Sequence, residues 1–329
     1  MKITATANVN IALVKYWGKR DSELFLPYNS SISLTLDGLN TTTTVEFGNY
    51  ENDIFILDGK EIQGKELEKV IGHMKLIRKI SGIQKKAKIV SRNNFPTAAG
   101  LASSASGFTA LTLAATKAAG LDLNPKELSV ISRQGSGSST RSCVAGFVEW
   151  LKGNKDDGTD SYAKQIASLE HWPEFRMITT IVSTEAKKVS SRAGMAQTVE
   201  TSPMYPVWLN TIEQDLQSMR KGILNKDFTL VGTTAESNCL KMHATMITTI
   251  PSIIYWQPAT LEIIHAVRSW REKGLETYFT IDAGPQVKII ALENQISEIK
   301  EKLQGFSGVK DVIVCKPGQG PELIENHLF

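Results

Sequence analysis

Apolar and polar side chains alternate along the first hundred residues, as they do in β-strands that bury one face. The first such run places Ile3, Ala5, Ala7 and Val9 between polar residues and continues to Val14. Further runs predict strands at 30–36, 41–47, 54–57 and 87–91, a helix at 65–80 and a hairpin turn at 58–59. The chain is therefore expected to begin as an antiparallel sheet.

A helical period dominates the second half of the chain. It predicts helices at 205–224, 227–248, 258–273 and 293–303, after two earlier ones at 108–119 and 125–133. Strands are predicted at 146–151, 175–183, 277–281, 287–292 and 309–315. Because strands and helices mix without a regular βαβ order, the pattern predicts an α+β fold rather than a doubly wound parallel sheet. We expect an N-terminal lobe at 1–183 and a C-terminal lobe at 184–329.

Composition excludes several classes of function. The 329 residues include 37 basic and 34 acidic side chains, a net charge of +3, whereas a dedicated nucleic-acid binder is far more basic. No stretch approaches the ~20 apolar residues of a membrane span, and nothing resembles a signal-peptide core. We therefore expect a cytoplasmic protein with neither nucleic acid nor membrane as partner. Cys143, Cys239 and Cys315 lack the spacing of a zinc or redox pair and are expected to be buried thiols, although one disulfide stays open.

The segment from Asn93 to Gly107, NNFPTAAGLASSASG, is the strongest candidate for ligand binding. Its small residues include Gly100, Ala102, Ser103, Ser104 and Ser106. A loop that enters a helix presents unpaired N–H groups and the positive end of the helix dipole, which together bind anions. We interpret it as a phosphate cradle for a nucleotide, with a serine hydroxyl near a metal ion held by the phosphates. The simpler alternative is an ordinary helix start, and the segment is not a Walker loop.

Cations and hydroxyls recur in three other places. These are Lys15 and Lys19 beside Tyr16 and Trp17, the run from Gly135 to Arg141 with Ser136 and Ser138, and Lys187 and Lys188 before Ser191 and Arg192. Each cluster alone is also explained by a solvated face or a flexible loop. In a chain with almost no net charge, the clusters together predict one highly anionic set of ligands.

Asp282 and His243 are the other residues with candidate chemistry. Asp282 begins Asp-Ala-Gly-Pro at a predicted strand end, where a carboxylate often accepts turn N–H groups. Among the cations it would instead stay ionised and orient a substrate hydroxyl. His243 lies on a helical pattern and is expected to pack in the core or beside the site, and no histidine has metal-ligand spacing.

Seven blocks in order resemble the diphosphomevalonate decarboxylase family of the GHMP kinase superfamily. They are NIALVKYWGKRD from Asn10, PYNSSISLTL from Pro27, NNFPTAAGLASSASGF from Asn93, RQGSGSSTRS from Arg133, KKVSSRAGM from Lys187, MHATM from Met242 and YFTIDAGPQVK from Tyr278. Ala102 stands where the wider superfamily usually has glycine, and it matches the decarboxylase form. The resemblance implies an N-terminal lobe similar to domain 2 of ribosomal protein S5, a ferredoxin-like C-terminal lobe and a site in the cleft between them.

The resemblance also implies a reaction in the mevalonate pathway. ATP with Mg²⁺ phosphorylates the 3-hydroxyl of (R)-5-diphosphomevalonate, and phosphate and CO2 then leave to give isopentenyl diphosphate. The implied catalytic residues are Asp282, Lys15 and Arg141, of which Arg141 meets the substrate carboxylate. The residues implied for ATP are Gly100, Ala102, Ser103, Ser104 and Ser106. Those implied for diphosphomevalonate are Tyr16, Lys19, Ser136, Ser138, Arg141, Ser191 and Arg192.

Related activities stay open beside this one. A mevalonate 3-kinase would phosphorylate without decarboxylating, and a 5-phosphomevalonate decarboxylase would take the shorter substrate. The presence of Asp282 and Lys15 argues against the first, and the cations for the substrate tail argue against the second. An inactive nucleotide-binding protein is the alternative from a different class, and the intact Ser/Gly loop argues against it. The resemblance implies a homodimer.

Overall fold

The chain forms an eight-stranded and a four-stranded β-sheet with helices packed on them, and a separate two-stranded hairpin, in a computed structural model that describes residues 1–95, 103–185 and 187–329. The strands of these residues are β1 (Lys2–Val14), β2 (Lys19–Asp21), β3 (Leu26–Pro27), β4 (Ser31–Gly48), β5 (Ile54–Leu57), β6 (Lys60–Glu61), β7 (Lys86–Asn93), β8 (Phe147–Trp150), β9 (Ala163–Ala167), β10 (Phe175–Ile181), β11 (Tyr278–Ile281), β12 (Val287–Leu292), β13 (Asp311–Cys315) and β14 (Glu322–Ile324). The helices are α1 (Gly64–Ser81), α2 (Ser103–Ala118), α3 (Pro125–Arg133), α4 (Ser139–Ser142), α5 (Ser191–Thr201), α6 (Tyr205–Asn225), α7 (Phe228–Ile247), α8 (Pro258–Glu272) and α9 (Ile296–Gln304), the last preceded by a 3-10 turn at Glu293–Gln295.

The first sheet is built around β1 and β4, which pair antiparallel over most of their length. The strand order is β14-β1-β4-β7-β5-β6, and β8 and β9 extend the sheet from β4. The predicted antiparallel start is confirmed, although β5 and β7 pair in parallel. The register of β1 shifts between Ala12 and Val14, and such a bulge redirects the residues that follow it. Lys15 is the next residue.

The second sheet has the order β11-β12-β10-β13, with antiparallel pairs throughout. Successive side chains of β12 face opposite sides, as the period of a strand requires. Ile289 packs with Ile263 and Val267 of α8, whereas Ile290 joins a cluster with Met219 of α6 and Val231 of α7. Helices therefore cover both faces of this sheet.

The two sheets do not divide the chain at a single residue. β10 precedes the predicted lobe boundary at 183 but pairs with β12 and β13 of the second sheet. β14, near the end of the chain, pairs with β1 of the first. Leu13 of β1 and Met177 of β10 share one buried apolar cluster. The boundary at 183 stays a prediction.

Most predicted elements are confirmed, whereas the β2–β3 hairpin, β9, β14, α4 and α5 were not predicted. β2 and β3 are too short to show an alternation of their own. α5 has few apolar residues, and the signal for its start is Ser190, whose hydroxyl accepts the Ala193 N–H at 3.2 Å. The three cysteines are free and buried, as expected. Within the described residues, no helix has both the length and the apolar character to cross a membrane.

Candidate active site

Lys15 carries a buried charge at the end of β1. Its backbone N–H donates to Asn238 Oδ1 at 2.8 Å, and its Nζ donates to Ala12 O at 2.8 Å. Nζ also donates to Asp282 Oδ1 at 2.7 Å. Because the side chain is only 2% exposed, these protein atoms rather than water orient the amine.

Asp282 follows β11 and lies between two lysines. Its Oδ1 contacts Lys15, and its Oδ2 lies 3.4 Å from the Nζ of Lys288 on β12. Burial alone would raise the pKa of Asp282, but attraction to Lys15 and Lys288 outweighs burial and holds the pKa far below its usual range. The carboxylate is therefore ionised at neutral pH. Its side chain is 27% exposed, so a ligand in the adjacent cavity can reach it.

Lys288 is a site residue that the sequence analysis did not single out. It lies in the otherwise apolar strand VKIIAL and is fully buried. Burial lowers its pKa, and the carboxylate of Asp282 opposes that effect. A charge inside an apolar strand was the available signal, because lysine is almost never fully buried without a partner.

Three side chains of α7 form hydrogen bonds with the backbone of Lys15 and of Ile281, which precedes Asp282. Asn238 accepts the Lys15 N–H, and Cys239 Sγ accepts the Ile281 N–H at 3.0 Å. His243 Nε2 lies 3.3 Å from Ile281 O. Burial lowers the pKa of His243 to about 3, so the ring is neutral and its Nε2–H donates to this carbonyl. His243 thus packs beside the site, as its helical pattern predicted.

Arg141 lies on α4 and is fixed by the first sheet. Its Nε donates to Asn10 Oδ1 at 3.1 Å, and its Nη1 donates to Ser31 Oγ at 2.6 Å. Burial lowers the pKa of Arg141 to about 10, and the guanidinium keeps its charge at neutral pH. A fixed, planar cation suits a carboxylate ligand.

The two serine-rich segments meet at the start of α2. Ser136 Oγ donates to Ser104 Oγ at 3.3 Å, and Ser138 Oγ lies 3.3 Å from Ser136 Oγ. Ser103 is the first residue of α2, so its backbone N–H and that of Ser104 have no partner within the helix. This arrangement supports the predicted anion site.

The other residues predicted for ATP are placed differently. Ser106 is fully buried, with its Oγ 2.7 Å from Thr41 Oγ1 on β4, and it does not line the cavity. It lies far enough along α2 to face the sheet. Gly100 and Ala102 lie outside the described residues.

Tyr16 and Ser191 approach the same space from different elements. The Tyr16 ring packs on Trp150 at 4.7 Å between centroids, and its hydroxyl has no hydrogen-bond partner among the described residues. Burial raises the pKa of Tyr16, so the hydroxyl stays neutral. Ser191 Oγ accepts from Lys187 Nζ at 2.9 Å, and this amine also donates to Ala283 O at 2.7 Å. Lys187 thereby links α5 to the residue after Asp282.

Lys19 and Arg192 share one aromatic ring. Lys19 Nζ lies 3.8 Å from the centroid of the Phe25 ring, and Arg192 Cζ lies 4.8 Å from it. Burial, and next the charge of Arg192, lower the pKa of Lys19 to about 8. Phe25 was also missed by the sequence analysis, because a single aromatic residue in a polar loop has no pattern.

Most of these side chains line one cavity of about 470 Å³, a size suited to small ligands. Its polar lining includes Lys15, Tyr16, Lys19, Ser103, Ser104, Ser136, Ser138, Arg141, Ser191, Arg192 and Asp282. Another part of the lining is apolar and consists of Phe55, Leu57, Val70, Phe108 and Leu111. The structure thus brings together the predicted site residues that it describes, apart from Ser106.

Comparison with known proteins identifies the family of the chain. Residues 7–163 match the model of the diphosphomevalonate decarboxylase-like N-terminal domain, and residues 177–308 match that of the mevalonate 5-diphosphate decarboxylase C-terminal domain. The diphosphomevalonate decarboxylase of Homo sapiens is 38% identical over 98% of this chain and 94% of its own length. That of Candida albicans is 40% identical over 87% of this chain and 83% of its own.

Solved structures of relatives superpose on nearly the whole chain. The mevalonate diphosphate decarboxylase of Staphylococcus aureus is 41% identical, with a TM-score of 0.93 over 98% of each chain. A structure described as MDDEF in complex with MVAPP, AMPPCP and magnesium is 42% identical, with a TM-score of 0.93 over 99% of each chain. These similarities confirm the predicted α+β fold of GHMP type. The chain belongs to the diphosphomevalonate decarboxylase family.

Proposed function

We propose that this chain catalyses the ATP-dependent decarboxylation of (R)-5-diphosphomevalonate in the mevalonate pathway. The γ-phosphoryl group of ATP is transferred to the 3-hydroxyl, and phosphate and CO2 then leave to give isopentenyl diphosphate and ADP. The observation that carries the proposal is the ionised Asp282, held by Lys15 and Lys288 in a cavity that also contains Arg141.

The nucleotide is proposed to lie along the start of α2. Ser103 and Ser104 present N–H groups and hydroxyls to its phosphates, and the apolar lining at Leu57, Val70 and Phe108 suits a flat base. Mg²⁺, when bound, neutralises charge between the phosphates. Oxygen donors such as the serine hydroxyls fit this hard cation, which proteins hold largely through phosphates and few side chains.

Diphosphomevalonate is proposed to lie with its carboxylate on Arg141 and its diphosphate toward Lys19 and Arg192. The buried guanidinium of Arg141 donates hydrogen bonds from Nε to Asn10 and from Nη1 to Ser31, so it is oriented before the substrate binds. Further donors to the substrate are proposed to be Tyr16, Ser136, Ser138 and Ser191.

Asp282 is proposed to act through its charge more than as a strong base. A carboxylate whose pKa is depressed accepts a proton poorly, but it accepts a hydrogen bond from the 3-hydroxyl and orients it for attack. In the elimination step, carbon 3 gains cationic character as the phosphate leaves, and the same carboxylate stabilises that charge. Lys15 stabilises the transferred phosphoryl group.

A product assay tests the function. ATP and Mg²⁺ are supplied with mevalonate, 5-phosphomevalonate or diphosphomevalonate, and ADP and CO2 are followed together. We expect equal ADP and CO2 with the diphosphate alone. ADP without CO2 would instead indicate a mevalonate 3-kinase. Preference for the monophosphate would indicate a 5-phosphomevalonate decarboxylase. Nucleotide binding without ADP release would indicate an inactive protein. Asp282→Asn should abolish turnover, and near-normal turnover would refute its role.

We also propose a homodimer in the cytoplasm. Ile250 and Ile254 are 70% and 67% exposed, which leaves apolar surface for a second copy to cover. Light scattering should give twice the mass of one chain at micromolar concentration, and a monomer at all concentrations would contradict the dimer.

A further inference from the structure

Phe25 lies in the loop between β2 and β3 with an unusual backbone conformation. Its φ is +56°, in the left-handed region that bulky residues rarely adopt without compensation. Its side chain is only 9% exposed and lines the cavity. Since the backbone is strained and the ring is buried, the surroundings must impose this conformation.

Arg133 and Asp21 supply the contacts that hold the loop. Arg133 is fully buried, and its Nε donates to Leu24 O at 3.0 Å while its Nη1 donates to Gly158 O at 2.9 Å. Asp21 Oδ1 accepts the Leu24 N–H at 2.7 Å. The backbone N–H and C=O of Leu24, the residue before Phe25, are thus both hydrogen-bonded, and these bonds fix the backbone that carries the ring.

The ring contacts two cations that come from different elements. Lys19 of β2 and Arg192 of α5 both lie over the ring, at 3.8 Å and 4.8 Å from its centroid. The two charges repel each other, and no salt bridge joins either to a carboxylate within the part of the chain that the structure describes. The negative face of an aromatic ring attracts both cations without neutralising either.

We propose that Phe25 is a positioning residue for the anionic tail of the substrate. Its ring holds Lys19 and Arg192 close together with their charges still available, so that one diphosphate group meets both. A carboxylate in the same place would orient them equally well but would compete with the incoming phosphates. The identity of the ligand rests on the proposed function, whereas the role of the ring does not.

Isothermal calorimetry with inorganic pyrophosphate tests this role without any turnover. Phe25→Leu and Phe25→Met remove the ring but keep apolar bulk, and Phe25→Tyr keeps the ring. We expect the ring-free variants to bind pyrophosphate about tenfold more weakly, which corresponds to about 1.4 kcal/mol, and Phe25→Tyr to stay within about twofold of wild type. Phe55→Leu is the matched control, because Phe55 lines the apolar part of the cavity and no cation of the described residues lies over its ring.

Kinetics separates positioning from a structural role. Phe25→Leu should raise the KM for diphosphomevalonate with kcat at saturation nearly unchanged, and the affinity for MgADP should not change. Unaltered pyrophosphate binding in the ring-free variants, or an equal loss in Phe25→Tyr, would overturn the inference. If wild type binds pyrophosphate through the ring but releases no CO2, the proposed function fails and the role of Phe25 stands.

Discussion

Replacing Asp282 by asparagine removes the counter-charge of two buried lysines while keeping the shape of the side chain. Lys15 Nζ lies 2.7 Å from one carboxylate oxygen and Lys288 Nζ 3.4 Å from the other, and the two lysine side chains are 2% and 1% exposed. Breaking a buried pair costs about 3–5 kcal/mol. Asp282 is 27% exposed, so water screens part of the loss. We therefore expect Asp282→Asn to lower the free energy of unfolding by roughly 3 kcal/mol.

Thermal unfolding of the ligand-free protein, followed by circular dichroism, measures this loss. The Tm should fall by roughly 4 °C at neutral pH. Adding Lys288→Met to Asp282→Asn removes one uncompensated cation and should restore about half of the lost stability, without restoring turnover. Asp37→Asn is the control, because its pair with Lys316 spans 3.6 Å between side chains that are 51% and 61% exposed. An exposed pair of this kind contributes less than about 1 kcal/mol.

The effect of Asp282 on stability has a definite pH dependence. Burial opposes its ionisation, but Lys15 and Lys288 outweigh burial and depress the pKa in the folded state. An aspartate in the unfolded chain has a pKa of about 3.9. The stabilisation is therefore present above about pH 4 and is lost as the pH falls toward the pKa of the folded state. The Tm difference between wild type and Asp282→Asn should hold from neutral pH to about 5 and shrink below that. An Asp282→Asn variant as stable as Asp37→Asn, or a difference that widens in acid, would refute the reasoning.

Three further predictions concern the supports of the site. Burial and Arg192 lower the pKa of Lys19 to about 8, so the side chain loses its charge as the pH rises through 8. The affinity for pyrophosphate, measured by calorimetry, should therefore fall over this pH range in wild type but not in Lys19→Met. Asn238→Ala leaves the Lys15 N–H without its acceptor. It should lower the free energy of unfolding by roughly 2 kcal/mol and lower kcat more than it changes KM. Thr233 is exposed on the same helix, so Thr233→Ala should have neither effect. In Gly137→Ala the new Cβ would lie 2.8 Å from the Tyr16 hydroxyl, so the KM for diphosphomevalonate should rise.

Sequence patterns predicted the long elements, and most of the predicted site residues line one cavity, because both have local signals. Helix α6 shows a complete apolar stripe, and the serine-rich start of α2 combines small residues with a helix start. The short β2 and β3 have no such signal, because their pairing with each other defines them. Ser106 lies apart from the other predicted residues. Its residue type matched the cradle, but its position along α2 turns its hydroxyl to Thr41.

Contacts between distant residues could not be read from the sequence. Lys15 and Asp282 are separated by 267 positions, and the pairing of Thr280 with Lys288 brings the second lysine beside the same carboxylate. Charge clusters indicated that cations converge on one ligand. Which cation meets a carboxylate and which stays unneutralised depends on strand register and loop conformation, and neither leaves a pattern in composition or spacing.

That distinction divides the cavity into two chemical environments. Lys15 and Lys288 are paired with Asp282, which keeps a carboxylate ionised where the 3-hydroxyl is proposed to react. Lys19 and Arg192 rest on an uncharged ring instead, so their full charge is available to an anion. A site with carboxylates at both ends would hold its cations equally well but would repel a diphosphate. A site with aromatic rings at both ends would bind the anion and lack the negative charge that the elimination step needs.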